Sequence, residues 1–231
     1  MMDTVIPANI LVVSPHLDDA VLSCGDLLSA RPSATVLTVF AGTPPNPGVL
    51  TDWDAAPGFS SAGEAMQSRR QEDQAALQIL GATPRWLDFL DSQYGDTPSA
   101  SLMAKALSSV LDEIRPAAVL YPAGLFHSDH VLVHKTLLQI CSSYPQIMWL
   151  MYEEASYRRV AGLLQCRLRS LLNEGWQATP MPVIDVQGQA KHDALQCYGS
   201  QLRALQAVVR GGYSDAFAAE RYWAVVSLPA A

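Results

Sequence analysis

The run NILVVSPHLDD, from Asn9 to Asp19, decides how the rest of the chain is read. Asn9 to Ser14 is apolar and rich in β-branched side chains, which suits a strand buried on both faces of a parallel sheet. The chain then turns polar at once, and Asp18 to Ser29, with Ala20, Leu22, Leu27 and Leu28, reads as a helix. A buried strand passing through a short turn into a helix is how a βαβ unit opens.

The same alternation recurs outward from this stretch. Thr35 to Phe40 predicts a second buried strand, followed by a Gly/Pro-rich loop from Gly42 to Gly63. Glu64 to Leu80 predicts a helix stopped by Gly81, and Arg85 to Phe89 a weaker strand. Ser99 to Ile114 and Ser128 to Ser142 read as helices, Ala117 to Tyr121 and Ile147 to Tyr152 as strands. The last third is less regular, with helices expected near Ala155 to Asn173 and Gln189 to Val209 and the short apolar run Val183 to Val186 between them. This order predicts an α/β fold: a Rossmann-like, doubly wound, mostly parallel sheet with helices on both faces plus a C-terminal extension, as one domain over residues 1–231.

Composition narrows the function. Of 231 residues, 49% are hydrophobic and 16% charged, which excludes a disordered chain. With 15 basic and 22 acidic residues the net charge is −7, which argues against nucleic acid as a partner. No stretch approaches the roughly 18 apolar residues of a membrane span. The N-terminus lacks the basic region of a signal peptide, so the expected location is the cytoplasm. Cys24, Cys141, Cys166 and Cys197 form no C-x-x-C pair and read as buried thiols. Most tryptophans read as core, whereas Trp53, in the Pro-rich loop, is a candidate to stack on a sugar ring.

In doubly wound sheets ligands bind beyond the carboxyl ends of the strands, here the loops after Ser14, Phe40, Phe89, Tyr121 and Tyr152. The first polar cluster is Pro15-His16-Leu17-Asp18-Asp19. His16 and Asp19, three apart at a helix start, can point to one side while Asp18 points elsewhere. A helix cap would account for one carboxylate, but not for the second or the histidine. The second cluster is His127-Ser128-Asp129-His130. A catalytic zinc takes three protein ligands and keeps one open position. His16, Asp19 and one of the two histidines supply such a set; the other histidine is free to meet substrate, and Asp129 is placed to orient a histidine through its ring N–H. His134 lacks the glutamate of a zincin and reads as packing or surface. No G-x-G-x-x-G follows the first strand, and carboxylates there would repel a diphosphate.

These residues resemble the PIG-L/LmbE family of zinc-dependent N-acetylglucosaminyl deacetylases, with its P-H-P-D-D-[E] and H-x-D-H motifs. Further stretches are similar to the family in the same order: Ser68 to Asp73 through Leu80-Gly81, Tyr152-Glu153-Glu154 with Tyr157, and Lys191 to Leu195 with Tyr198 to Gln201. The resemblance implies that His16, Asp19 and His130 bind zinc and that Asp18 is the general base. It further implies that His127, with Asp129 beside it, faces the substrate carbonyl and that Arg69 contacts substrate. Arg70 reads instead as half of a solvated charge pair, and Lys191 and Gln201 as a salt bridge or helix surface. Leu17 stands where the family has proline, Ala20 where glutamate is common, and Leu125 where some members carry tyrosine.

Zinc would acidify a water and polarise the carbonyl, Asp18 would take and return a proton, and His127, if protonated, would stabilise the oxyanion. The function expected is therefore removal of an N-acetyl or related N-acyl group from an amino sugar or its conjugate. The alternatives are a metal-dependent amidase on a non-sugar N-acyl substrate, or a non-catalytic Rossmann-type nucleotide- or sugar-binding protein.

Overall fold

All of strand β1, Ile10–Ser14, is buried, and its alternating side chains feed two separate cores. The computed structural model describes residues 6–182, 188–208 and 213–228. Ile10 and Val12 pack on one sheet face with α1 (Asp19–Ser29), α3 (Ala62–Ile79, preceded by the single turn α2, Asp52–Ala55), α7 (Gln189–Gln196) and α8 (Gly199–Val208). Leu11 and Val13 pack on the other with α4 (Ala100–Ile114), α5 (Ser128–Ile140) and α6 (Leu163–Asn173). A strand covered on both faces has no polar side to show, which is why Ile10 to Val13 reads as continuously apolar.

The sheet has seven strands in the order β3-β2-β1-β4-β5-β7-β6. The strands β2 (Thr35–Thr38), β3 (Thr83–Trp86), β4 (Ala118–Pro122) and β5 (Met148–Tyr152) run parallel with β1. The chain first winds away from β1 through β2 and β3, then crosses to β4 on its other side, so β1 and β4 flank the topological switch point. Their carboxyl ends lie side by side, with Ile10, Leu11 and Val12 in register with Ala118, Val119 and Leu120.

The C-terminal extension is built into this sheet rather than appended to it. The strands β6 (Trp176–Pro180) and β7 (Tyr222–Ser227) pair antiparallel with each other, and β7 pairs antiparallel with β5. Two expected helices are shorter than their patterns. Residues 155–162 form turns, held where Arg158 donates to the carbonyls of Ala219 and Asp215 at 2.9 and 2.6 Å and closed by Gly162 at φ 86°. The helix expected from Gln189 to Val209 breaks before Gly199, where the buried Tyr198 donates its hydroxyl to Asp73 at 2.8 Å. The run Val183 to Val186 lies outside the described residues. Only Cys24 and Cys141 are buried; Cys166 is exposed and Cys197 half-buried, and all four are free thiols.

Candidate metal centre

The turn after β1 and the start of α5 meet at the switch point. His16 Nδ1 lies 3.2 Å from Asp19 Oδ2 and 3.3 Å from His130 Nε2, and His130 Nε2 lies 3.2 Å from Asp19 Oδ2. Three donor atoms thus form a nearly equilateral triangle. A tetrahedral zinc with bonds of about 2.0–2.1 Å spaces its ligands about 3.3–3.4 Å apart, so the residues present fit the ion.

Local structure explains how each side chain gets there. Asp18 occupies the N-cap position of α1, yet its side chain makes no capping bond. Ser14 Oγ takes that part, accepting the Ala20 amide at 2.9 Å, and Asp19 Oδ2 accepts the His16 amide at 3.0 Å. Capping therefore does not explain Asp18, which lines the cavity beside the triangle. His127 caps α5: its Nδ1 accepts the Asp129 amide at 3.3 Å, which places the ring proton on Nε2.

The electrostatics favour positive charge at the triangle. Burial works against ionised imidazoles, but Asp91, Asp129 and Asp19 raise His16 well above 6.5, and Asp19 lifts His130 to about 9. Burial alone would raise Asp19, yet His130 and His16 hold it well below the usual carboxylate range. Asp18 behaves in the opposite sense: burial and the adjoining Asp19 charge push it up to about 8. Burial and the neighbouring His16 and His130 lower His127, so it is neutral and donates through Nε2 without extra protonation.

A cavity of about 630 Å³ opens over the centre, within the range of pockets that enclose a drug-sized ligand. Trp53 lines it, as does Arg69, which is buried and pairs through Nη1 with Asp54 at 2.8 Å while its Nε and Nη2 have no partner. Phe126, Tyr157 and Val160 form an apolar stretch of wall, with Phe126 67% and Val160 48% exposed. Asp91 and Gln93, from the loop after β3, line the wall as well; the sequence marked that loop but not these residues.

The remaining candidates are placed as follows. Asp129 Oδ2 lies 3.0 Å from His16 Nε2 and 3.9 Å from His127 Nδ1, so of the histidines it could orient, His16 is the nearer. His134 is fully buried, its Nδ1 donating to the Pro122 carbonyl at 2.9 Å, and is a packing residue. Arg70 forms the solvated pair expected of it, with the exposed Asp88 at 2.9 Å, and in addition donates to the Ala41 carbonyl and stacks on Trp86, pinning the loop after β2. Lys191 is buried against Glu220 at 2.7 Å, and the buried Gln201 donates to the Leu17 carbonyl.

Known proteins share this architecture. Residues 11–141 match the PIG-L family, described as GlcNAc-PI de-N-acetylase. A 2'-N-acetylparomamine deacetylase from Streptomyces fradiae is 32% identical, the match covering 83% of this chain and 72% of that protein. The crystal structure of Dbv21, the A40926 pseudoaglycone deacetylase, superposes with a TM-score of 0.79 at 27% identity, over 97% of this chain and 99% of that one. The zinc-inhibited form of the teicoplanin deacetylase Orf2 gives 0.75 at 25% identity, over 96% and 99%. With a family match across more than half its length and a relative this similar, the chain belongs to the PIG-L family of de-N-acetylases.

Proposed function

We propose that this protein is a zinc-dependent hydrolase that removes the N-acetyl group from an amino sugar carried on a larger conjugate. The observation behind this is the triangle of His16 Nδ1, Asp19 Oδ2 and His130 Nε2, with edges of 3.2–3.3 Å, at the floor of a cavity. When bound, zinc supplies Lewis acidity, which activates water and polarises a carbonyl.

The chain's own groups do the rest. Asp18, beside the triangle but outside it, is pushed up by burial and Asp19 in the metal-free chain; the charge of a bound cation would ionise it, and its carboxylate then takes the proton of the attacking water and passes it to the departing amine nitrogen. His127 directs Nε2–H at the carbonyl oxygen as negative charge gathers there, a neutral donor already oriented by its cap on α5. Asp129 holds the His16 ring. Arg69, with donors left over after its pairing to Asp54, binds the sugar hydroxyls, and Trp53 gives a ring face for stacking. The apolar wall of Phe126, Tyr157 and Val160 receives the aglycone, which fits relatives named as deacetylases of 2'-N-acetylparomamine and of the A40926 pseudoaglycone. The cytoplasm is the proposed location; no helix among the described residues is long and apolar enough to cross a membrane.

The test is metal content of the purified protein together with acetate release from a panel of N-acetylglucosaminides, with and without chelator. About one zinc per chain and chelator-sensitive acetate release are expected. A chain that takes up no divalent metal, or releases acetate equally well after complete metal removal, refutes the assignment.

A further inference from the structure

Each histidine of the triangle has its other ring nitrogen against a carboxylate, but through opposite atoms. His16 offers Nδ1 to the centre and turns Nε2 to Asp129. His130 offers Nε2 and turns Nδ1 to Glu154 Oε1 at 3.3 Å. Glu154 follows β5 almost immediately, and because β5 runs beside β4 it lies under the loop that leads to α5. The same Oε1 accepts the amides of Gly124 and Leu125 at 2.9 and 3.0 Å. Gly124 makes that convergence possible: its φ is 69°, and a Cβ there would come within 2.9 Å of His134 Cβ. Glu154 is 1% exposed, and its Oε2 is buried with no hydrogen-bond partner.

A clamp for two backbone amides needs only a neutral acceptor, and burying a carboxylate for that purpose is costly. The third contact gives the charge a use. We propose that Glu154 is the positioning carboxylate of the metal centre: it fixes His130 with its proton on Nδ1 and its lone pair on Nε2, and holds the Gly124–Leu125 segment that delivers His127. This rests on the metal-centre assignment above. An imidazole that donates to a carboxylate is a better-oriented and more basic ligand, and loss of such a partner typically weakens metal binding about 10–100-fold.

The test measures metal binding rather than turnover. Glu154→Gln keeps an acceptor for the two amides but removes the charge. Zinc affinity is read by competition with a chelating dye, and the visible absorption of the cobalt-loaded protein reports ligand geometry. Glu153→Gln is the control, since Glu153 accepts from Trp223 at 2.9 Å, away from the triangle. Expected is a folded Glu154→Gln protein with zinc binding weakened about 10–100-fold and an altered cobalt spectrum, while Glu153→Gln matches wild type. Wild-type affinity and spectrum in folded Glu154→Gln overturn the proposal. Should that variant not fold, Glu154→Asp retains the charge but withdraws it from Nδ1; weakened zinc binding supports the proposal and unchanged binding overturns it. A wild-type chain that binds neither zinc nor cobalt overturns both this proposal and the metal centre. One that binds zinc but hydrolyses no N-acetyl sugar overturns only the proposed function.

Discussion

Acid should dismantle the site-bearing helix through a residue that touches no substrate. His134 lies one turn beyond His130 on α5, is 0% exposed, and fastens the helix to the end of β4 by donating to the Pro122 carbonyl. Burial, reinforced by the Arg167 guanidinium, depresses its pKa from 6.5 to about 3. The folded chain therefore binds fewer protons here than the unfolded chain between those two values, and stability falls as pH drops through the window. The full difference corresponds to about 5 kcal/mol below pH 3, with about 2 kcal/mol already lost at pH 5. That is a large share of the roughly 5–15 kcal/mol that holds a domain folded. His134→Asn puts an amide N–H where Nδ1 donates and cannot become protonated; the space it leaves costs stability equally at every pH. Urea unfolding of both proteins at pH 7 and pH 5, with chelator present so that metal loss does not enter, isolates the titration. Wild type should lose about 2 kcal/mol more than the variant between the two pH values. Equal losses would refute the argument.

Asp18→Asn should retain about one zinc per chain yet lose at least about a hundred-fold in kcat, whereas His16→Ala should lose the metal on dialysis; a near-wild-type rate in Asp18→Asn rules out its role as the base. Arg69→Lys keeps a cation beside the fully buried Asp54 but gives up the guanidinium donors, so KM for an N-acetyl sugar should rise about tenfold with kcat little changed. An unchanged KM would confine Arg69 to its ion pair. Phe126→Ser should reduce the preference for aryl over methyl N-acetylglucosaminides about tenfold in kcat/KM, the worth of part of an aromatic contact. If both substrates fall alike, the aglycone does not lie on that wall.

What the sequence discloses follows from where the relevant energy resides. β1 is legible because burial on both faces forces every residue of Ile10–Ser14 to comply. The polar turns after β1 and β4 are legible because histidines and carboxylates at strand ends serve no core. β6 lies at the sheet edge, and its alternation of half-buried Trp176 and Ala178 with exposed Gln177 and Thr179 is too short, ending in Pro180, to stand out as a strand. The site divides along the same line. His16 and Asp19 share one turn, so their convergence can be read locally, and the ordered motifs bring in His130. Glu154 and Asp91 reach the centre, and Asp54 reaches Arg69, only through neighbouring strands and loops, and no local spacing records that β5 lies beside β4 or that Asp54 meets Arg69. Carboxylates placed within two residues of a wholly apolar strand, as Glu153 and Glu154 are after Met148–Tyr152, are nevertheless a usable signal. In a doubly wound sheet, that position lies beside the ligand crevice whichever strand it follows. The carboxylates that orient such a centre, Asp129 and Glu154, lie in legible stretches as its ligands do, but which histidine each one meets is written in topology.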